Sequence, residues 1–273
     1  PGLEVSDLPA ISNIAHERGL PVVVDATFAT PSLCRPFEHG ANIIVHSITK
    51  WMGGHGVAIG GVIVDGGAFD WGKYGKHPTL TEPYEPFHGI SFWEEYGPSA
   101  LVMRIRSESM RDLGPSMSPH TAFLLLQGIE TLSLRMQQHV ENAKQLTRWL
   151  LEQGLVTWVN HPDLPDNPTH RVAERLFPKG AGSILCFGVK GGRDGGGAFM
   201  DALVLSSNLA NVGDSRTLVL HPASTTHSRL SDEEMKATGT SPDLIRVSVG
   251  IENIADIIKD FKGGLKAVER LLK

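Results

Sequence analysis

Leu20-Pro21-Val22-Val23-Val24-Asp25 decides the fold class, being a continuous apolar, β-branched run closed by a carboxylate. A run that does not alternate reads as a parallel strand buried on both faces. Ahead of it, Ser6 can cap a helix to about His16, with Leu8, Ile11, Ile14 and Ala15 as its apolar stripe and Gly19 as its stop. Behind it, residues 42–45 and 61–64 read as two further short strands. Helix and strands in this order predict an α/β sheet covered by helices. In such sheets ligands bind beyond the carboxyl ends of strands, where Asp25 and the run 47–50 both fall.

Residues 66–98 break the pattern. They hold all three tyrosines together with Trp71 and Trp93. A long aperiodic segment so rich in aromatics predicts an ordered loop over a site or interface, or else a surface wrap that only packs. From Ser118 an apolar stripe runs through Phe123, Leu126, Ile129, Leu132, Met136, Val140, Ala143 and Leu146 to a stop at Gly154, which predicts one long helix between domains. Strands are expected at 155–159 and 183–189, a glycine-rich turn at 191–197, a helix from Ala198, and a last amphipathic helix over 253–273. The division predicted is 1–130 for a large domain and 131–273 for a smaller one.

Of 273 residues, 41% are apolar and 20% charged, and the net charge is −5. No basic footprint for nucleic acid and no run of about 20 apolar residues for a membrane span is present. A small metabolite is the expected partner. The two cysteines, Cys34 and Cys186, lie far apart and fit a reducing cytoplasm. Twelve histidines show none of the compact spacings of a metal site, so no metal is expected.

Chemistry concentrates in His46-Ser47-Ile48-Thr49-Lys50. A lysine used covalently must lose its proton and face a carbonyl, and Lys50 follows a strand where such a site can form. A pyridoxal phosphate (PLP) ring needs an anion near its nitrogen, which Asp25 can supply, and hydroxyls for its phosphate, which Ser47 and Thr49 can supply. Singly, each has a bland reading as a turn residue, a backbone cap or a solvated lysine; their convergence carries the argument. The same four residues satisfy the S-x-x-K of serine acylases, but that motif opens a helix and needs S-D-N and K-T-G partners, which are missing. The glycine runs at 54–56 and 195–197 lack dinucleotide-binding spacing.

Val24-Asp25-Ala26-Thr27-Phe28-Ala29, His46–Lys50 with Gly53-Gly54-His55-Gly56, and His221-Pro222-Ala223-Ser224-Thr225-Thr226-His227 resemble the Cys/Met-metabolism PLP-dependent enzymes across essentially the whole chain. The resemblance implies the aspartate aminotransferase-like fold (type I), here with an incomplete large domain and a smaller α+β C-terminal domain. It implies Lys50 as the Schiff-base lysine, Asp25 at the pyridinium nitrogen, Ser47 and Thr49 at the phosphate, Arg246 on the substrate carboxylate and Thr217 near that carboxylate. Within the family, the runs 54–61 and 211–214 and the aromatic insertion point to γ-replacement on O-acetylhomoserine by sulfide, giving homocysteine and acetate in a cytoplasmic homotetramer. A γ-synthase or γ-lyase activity on a related amino acid, or an inactive structural fragment, are the alternatives. Ala26, Trp51 and His120-Thr121 depart from the family pattern and point to an altered pocket shape. The start at Pro1, without Met, reads as truncated: the family carries an N-terminal segment with further cofactor ligands, which is expected to be needed for activity, either as a separate chain after scission at an Asn-Pro bond or as a part absent from a fragment.

Overall fold

The computed structural model describes residues 2–273, which form two sheets joined by a long helix. The first sheet has three strands in the order β1 (Val23–Asp25), β2 (Ile43–Ser47) and β3 (Gly61–Asp65). β1 runs parallel to β2, with Asp25 opposite Val45, and β3 returns antiparallel. The strand at the deciding stretch is therefore present but shorter than expected. It is also not buried on both faces, because β1 is an edge strand among the described residues and Val23 is 57% exposed.

Helix α1 (Leu8–Glu17) precedes β1 and is capped by Asp7, whose carboxylate accepts from Ala10 N, in place of the expected Ser6. Only Leu8 of its apolar stripe is buried, together with Ser12. The aromatic segment folds on itself. Phe69, Trp71, Leu80 and Phe92 make a small core against Ile43, and the Arg104 guanidinium lies 3.6 Å from the Tyr84 ring centre while pairing with Glu108. None of residues 66–98 lines the cavity that holds Lys50, so within this chain the segment packs and does not cover that site.

The expected long helix is two. α2 (Pro119–Glu130) is capped by Ser118 and ends at Thr131, and α3 (Leu132–Leu151) starts directly after it. α3 packs on the second sheet, whose order is β4 (Val156–Asn160), β5 (Ile184–Val189), β8 (Leu244–Ser248), β7 (Leu218–Leu220) and β6 (Ser207–Asn208). Leu146 and Leu150 of α3 meet Leu185, Phe187, Val247 and Phe261 in the main core. The glycine-rich run expected to be a turn is helical instead, in α4 (Gly192–Asp201). Packing overrides glycine's weak helix propensity: a Cβ on Gly195 would sit 2.1 Å from the Lys190 carbonyl, and one on Gly196 would sit 2.3 Å from His221. The last helix, α5 (Ile254–Leu271), is capped by Asn253 and buries Ile257, Phe261, Leu265 and Val268, as its periodicity predicts.

Among the described residues no helix is long and apolar enough to cross a membrane, and no cluster of ligands could hold a metal. The buried histidines make stability depend on pH. Burial pushes His139 down to about 4, Arg135 adding to the fall and the Val249 carbonyl opposing it. Burial also lowers His46, His161 and His221. The unfolded chain therefore binds more protons below the ordinary imidazole range, so stability is complete above pH 6.5 and is lost as pH falls toward 4. For His139 alone, from 6.5 to about 4, the loss is roughly 3 kcal/mol. Urea midpoints are expected to fall steadily from pH 7 to 4, and His139→Gln, which takes up no proton, to flatten that fall.

Candidate functional site

β2 ends at Ser47 and the chain leaves it in a hydrogen-bonded turn rather than a helix. Lys50 N donates to Ser47 O at 3.1 Å, Gly53 N to Ile48 O at 2.8 Å, and Gly54 N to Lys50 O at 2.7 Å. Lys50 is thereby presented at the carboxyl end of β2, beside the carboxyl end of β1, where Asp25 stands. The two strand ends are tied through Thr27: its N–H donates to Asp25 Oδ1 at 3.0 Å, and its Oγ1 accepts from Ser47 N at 2.8 Å.

Asp25, Ser47 and Lys50 all line one cavity of about 750 Å³, with Val24, Phe28 and Trp51 among its apolar walls. That size suits a small molecule or cofactor. Ser47 Oγ forms no hydrogen bond among the described residues, and Asp25 accepts only from the Thr27 amide. Both thus keep bonding capacity for a phosphate and a protonated ring nitrogen. Thr49 is differently placed: its hydroxyl accepts from Gly60 N at 2.9 Å and donates to Gly60 O at 3.2 Å, pinning the turn to the start of β3.

Arg246 sits mid-strand on β8, opposite Cys186 on β5 and Leu220 on β7. Burial holds its pKa below the usual guanidinium value, and the neighbouring Cys186 thiol is pushed up to about 11 by burial, against the opposing pull of Arg246. Among the described residues Arg246 makes no ion pair; its Nη2 donates to the backbone carbonyl of Asn211 at 3.2 Å. The Asn211 side chain in turn accepts from Lys50 Nζ. One residue therefore bridges the amine and the guanidinium, and residue-by-residue reading of the sequence did not single it out. Its signal was the run Asn211-Val212-Gly213-Asp214, whose Gly213 adopts a positive φ of 77° against Trp51.

Thr217, expected near the carboxylate, is fully buried. Its Oγ1 donates to Glu252 Oε2 at 2.8 Å and accepts from Gly250 N at 3.0 Å, so its hydroxyl is consumed by the fold. Trp51, expected to reshape the pocket, is buried with Nε1 donating to Ser183 Oγ at 3.0 Å and its ring 5.1 Å from that of Phe28. His221 serves packing, with its two nitrogens bonded to Ser224 Oγ and Pro242 O. The serine-acylase reading fails on geometry, since Ser47 to Lys50 is not helical and Lys50 Nζ bonds Asn211, not Ser47.

Comparison with known proteins gives the family. Residues 1–266 match the model of the Cys/Met metabolism PLP-dependent enzyme family. The O-acetyl-L-homoserine sulfhydrylase 1 of Thermus thermophilus is 47% identical over 97% of this chain and 63% of its own. The homocysteine synthase of Schizosaccharomyces pombe is 48% identical over 97% of this chain and 62% of its own. A Campylobacter jejuni protein solved as an O-acetylhomoserine (thiol)-lyase, with a pyridoxyl-lysine phosphate in place, superposes with a TM-score of 0.91 at 34% identity, covering 98% of this chain and 63% of that one. The O-acetylhomoserine sulfhydrylase of Wolinella succinogenes gives 0.82 at 38% identity, over 97% and 69%. The chain thus spans a little under two thirds of the length of the curated relatives it matches.

Gly213 tests the contact between the Asn211 run and the lysine turn. A Cβ there would lie 2.6 Å from Trp51 N and 2.7 Å from the Trp51 ring, at a φ that side chains avoid. Gly213→Ala is expected to lower stability by about 1–3 kcal/mol, measured by denaturant unfolding, and to weaken PLP uptake measured by visible absorbance.

Proposed function

Because the chain belongs to the Cys/Met metabolism PLP-dependent enzyme family, we propose that it carries the cofactor-binding lysine and the carboxylate-binding arginine of an O-acetylhomoserine sulfhydrylase. The reaction is replacement of the acetoxy group at the γ-carbon by sulfide, the Cγ–O bond giving way to a Cγ–S bond, with homocysteine and acetate as products. The observation that carries this reading is the bridge from Lys50 through Asn211 to Arg246, with Lys50 also lining the cavity that Asp25 and Ser47 line.

PLP, when bound, supplies an electron sink for bonds broken at the substrate's α- and β-carbons. The residues present fit it: Lys50 Nζ for its aldehyde, Asp25 for its ring nitrogen, and Ser47 Oγ for its phosphate, with Thr49 joining if it releases Gly60. Lys50 Nζ is also the group positioned to hold and move a proton, and Asn211 Oδ1 orients it by accepting from it. Arg246 has no carboxylate of its own among the described residues, so its planar donors are available for the α-carboxylate of an amino acid. Thr217 supports this place only through Glu252 and Gly250, beneath the end of β8. Val24, Phe28 and Trp51 give the cavity apolar walls beside the lysine. Residues 1–130 and 131–273 are proposed as the large and small domains, working in a cytoplasmic homotetramer.

The experiment is borohydride reduction of the protein loaded with PLP, followed by peptide mapping. The pyridoxyl label is expected on Lys50 and absent from Lys50→Ala, and a label on another lysine overturns the assignment. Arg246→Lys is expected to raise KM for O-acetylhomoserine by roughly 10- to 100-fold, the worth of a charged, forked hydrogen bond. An unchanged KM would remove Arg246 from the substrate site.

A further inference from the structure

Beside the apolar contacts of Leu132, Met136 and Val140 with the Trp51 cluster, α3 carries a buried polar stripe. Arg135, His139 and Asn142 follow each other at helical spacing, and all three are buried. Arg135 donates through Nη1 to Trp51 O at 2.7 Å, through Nη2 to Met52 O at 3.1 Å and Gly128 O at 2.5 Å, and through Nε to Thr131 Oγ1 at 3.2 Å. One turn on, His139 Nδ1 bonds Val249 O at 2.7 Å. Almost a further turn on, Asn142 Nδ2 donates to Gly250 O at 3.0 Å and Glu252 O at 2.8 Å. Trp51 and Met52 directly follow Lys50, and Val249 and Gly250 directly follow β8, the strand of Arg246.

Every acceptor of Arg135 is neutral. A buried guanidinium without an anion is a poor choice for stability alone, and an apolar side chain could fill the space. What it provides is geometry, because a rigid fork with five donors can hold several carbonyls at once. The lysine turn has need of this, having no strand or helix of its own beyond Ser47. Within the turn, Lys50 O accepts from Gly54 N and Gly53 O bonds His55 Nδ1 at 2.6 Å, while Gly54 O accepts from the distant Ser215 N at 2.8 Å. Close approach is built in as well. A Cβ on Gly54 would lie 2.0 Å from Arg135 Nη1, and one on Gly128 would lie 2.1 Å from Gly53 O.

We propose that Arg135, His139 and Asn142 form a positioning rail that fixes the lysine turn relative to the Arg246 strand, with Arg135 the positioning residue for Lys50. This rests on the proposed roles of Lys50 and Arg246. The rail sets where the amine stands relative to the substrate carboxylate, and so acts on the proton-transfer step more than on substrate affinity.

The test uses the purified protein, with and without PLP. Arg135→Lys keeps the charge but lacks the fork. Backbone amide exchange in peptides covering 50–54 is expected to quicken about tenfold or more while exchange in α5 stays unchanged. In the PLP-loaded protein, kcat is expected to fall by roughly 10- to 100-fold, since a displacement of about 1 Å at the reacting group costs this much, with KM for O-acetylhomoserine within about twofold, and the pH midpoint of the visible cofactor band is expected to shift. Gly128→Ala leaves Arg135 intact, presses on the Gly53 carbonyl, and is expected to reproduce the exchange change; it stands in if Arg135→Lys does not fold. Unchanged exchange over 50–54 in the folded variants overturns the proposal, as does a fall in kcat/KM carried by KM alone. A borohydride label on a lysine other than Lys50 would instead overturn the site assignment, and the exchange result on the unloaded protein would still decide whether Arg135 holds the turn.

Discussion

A lysine that must project from a strand end into a cavity cannot be held by the strand's own ladder, and this constraint organises the chain. The turn from Ser47 to Gly54 satisfies part of its backbone internally, and the rest must come from elsewhere. α3 supplies it through Arg135, Gly60 supplies it from just ahead of β3, and the 213–215 segment through Ser215. Those three sources come from different parts of the fold, so the turn cannot form in its observed shape until the sheets and α3 have come together. The break at Thr131 belongs to the same arrangement. The last carbonyls of a helix lack partners within it, and Gly128 O, near the end of α2, finds its donor in Arg135.

The glycines after the lysine acquire a reason in this light. In the sequence, Gly53-Gly54 is a pattern shared with a family. In the structure, Gly54 leaves room for the guanidinium, and Gly128 brings α2 against the Gly53 carbonyl. Distances near 2 Å from a notional Cβ mean that any side chain there would displace the atoms that hold the turn. The loss would be felt at Lys50 rather than at the glycine.

Much of the fold was legible because periodicity reports burial. β2, β3, β5 and α5 lie where apolar runs or stripes place them. The misreadings share a cause, which is that a single sequence shows preferences but not partners. Glycines at 192–197 prefer turns, yet contacts with Lys190 and His221 make small residues in a helix the better fit. The stripe from Phe123 to Leu146 is continuous in spacing, yet the helix breaks at Thr131, where Gly128 O accepts from Arg135. β1 reads as a central strand from its composition, but how many strands flank it is not written in its own residues.

The site divides along the same line. Lys50, Asp25 and Ser47 stand out in the sequence because each has chemistry suited to a strand end, and the structure gathers all three around one cavity. Thr217 was singled out and Asn211 was not, although both lie in the segment before β7, and only the fold decides which faces the amine. Thr217 is followed at once by β7 and is locked beneath Glu252, whereas Asn211 lies ahead of the positive-φ Gly213 that turns the chain past Trp51. Arg135 was illegible for a different reason: in a helix of mixed composition an arginine reads as solvated surface. Its burial goes with three carbonyls, two from the distant Trp51-Met52 and one from the nearby Gly128, and their convergence exists only in three dimensions.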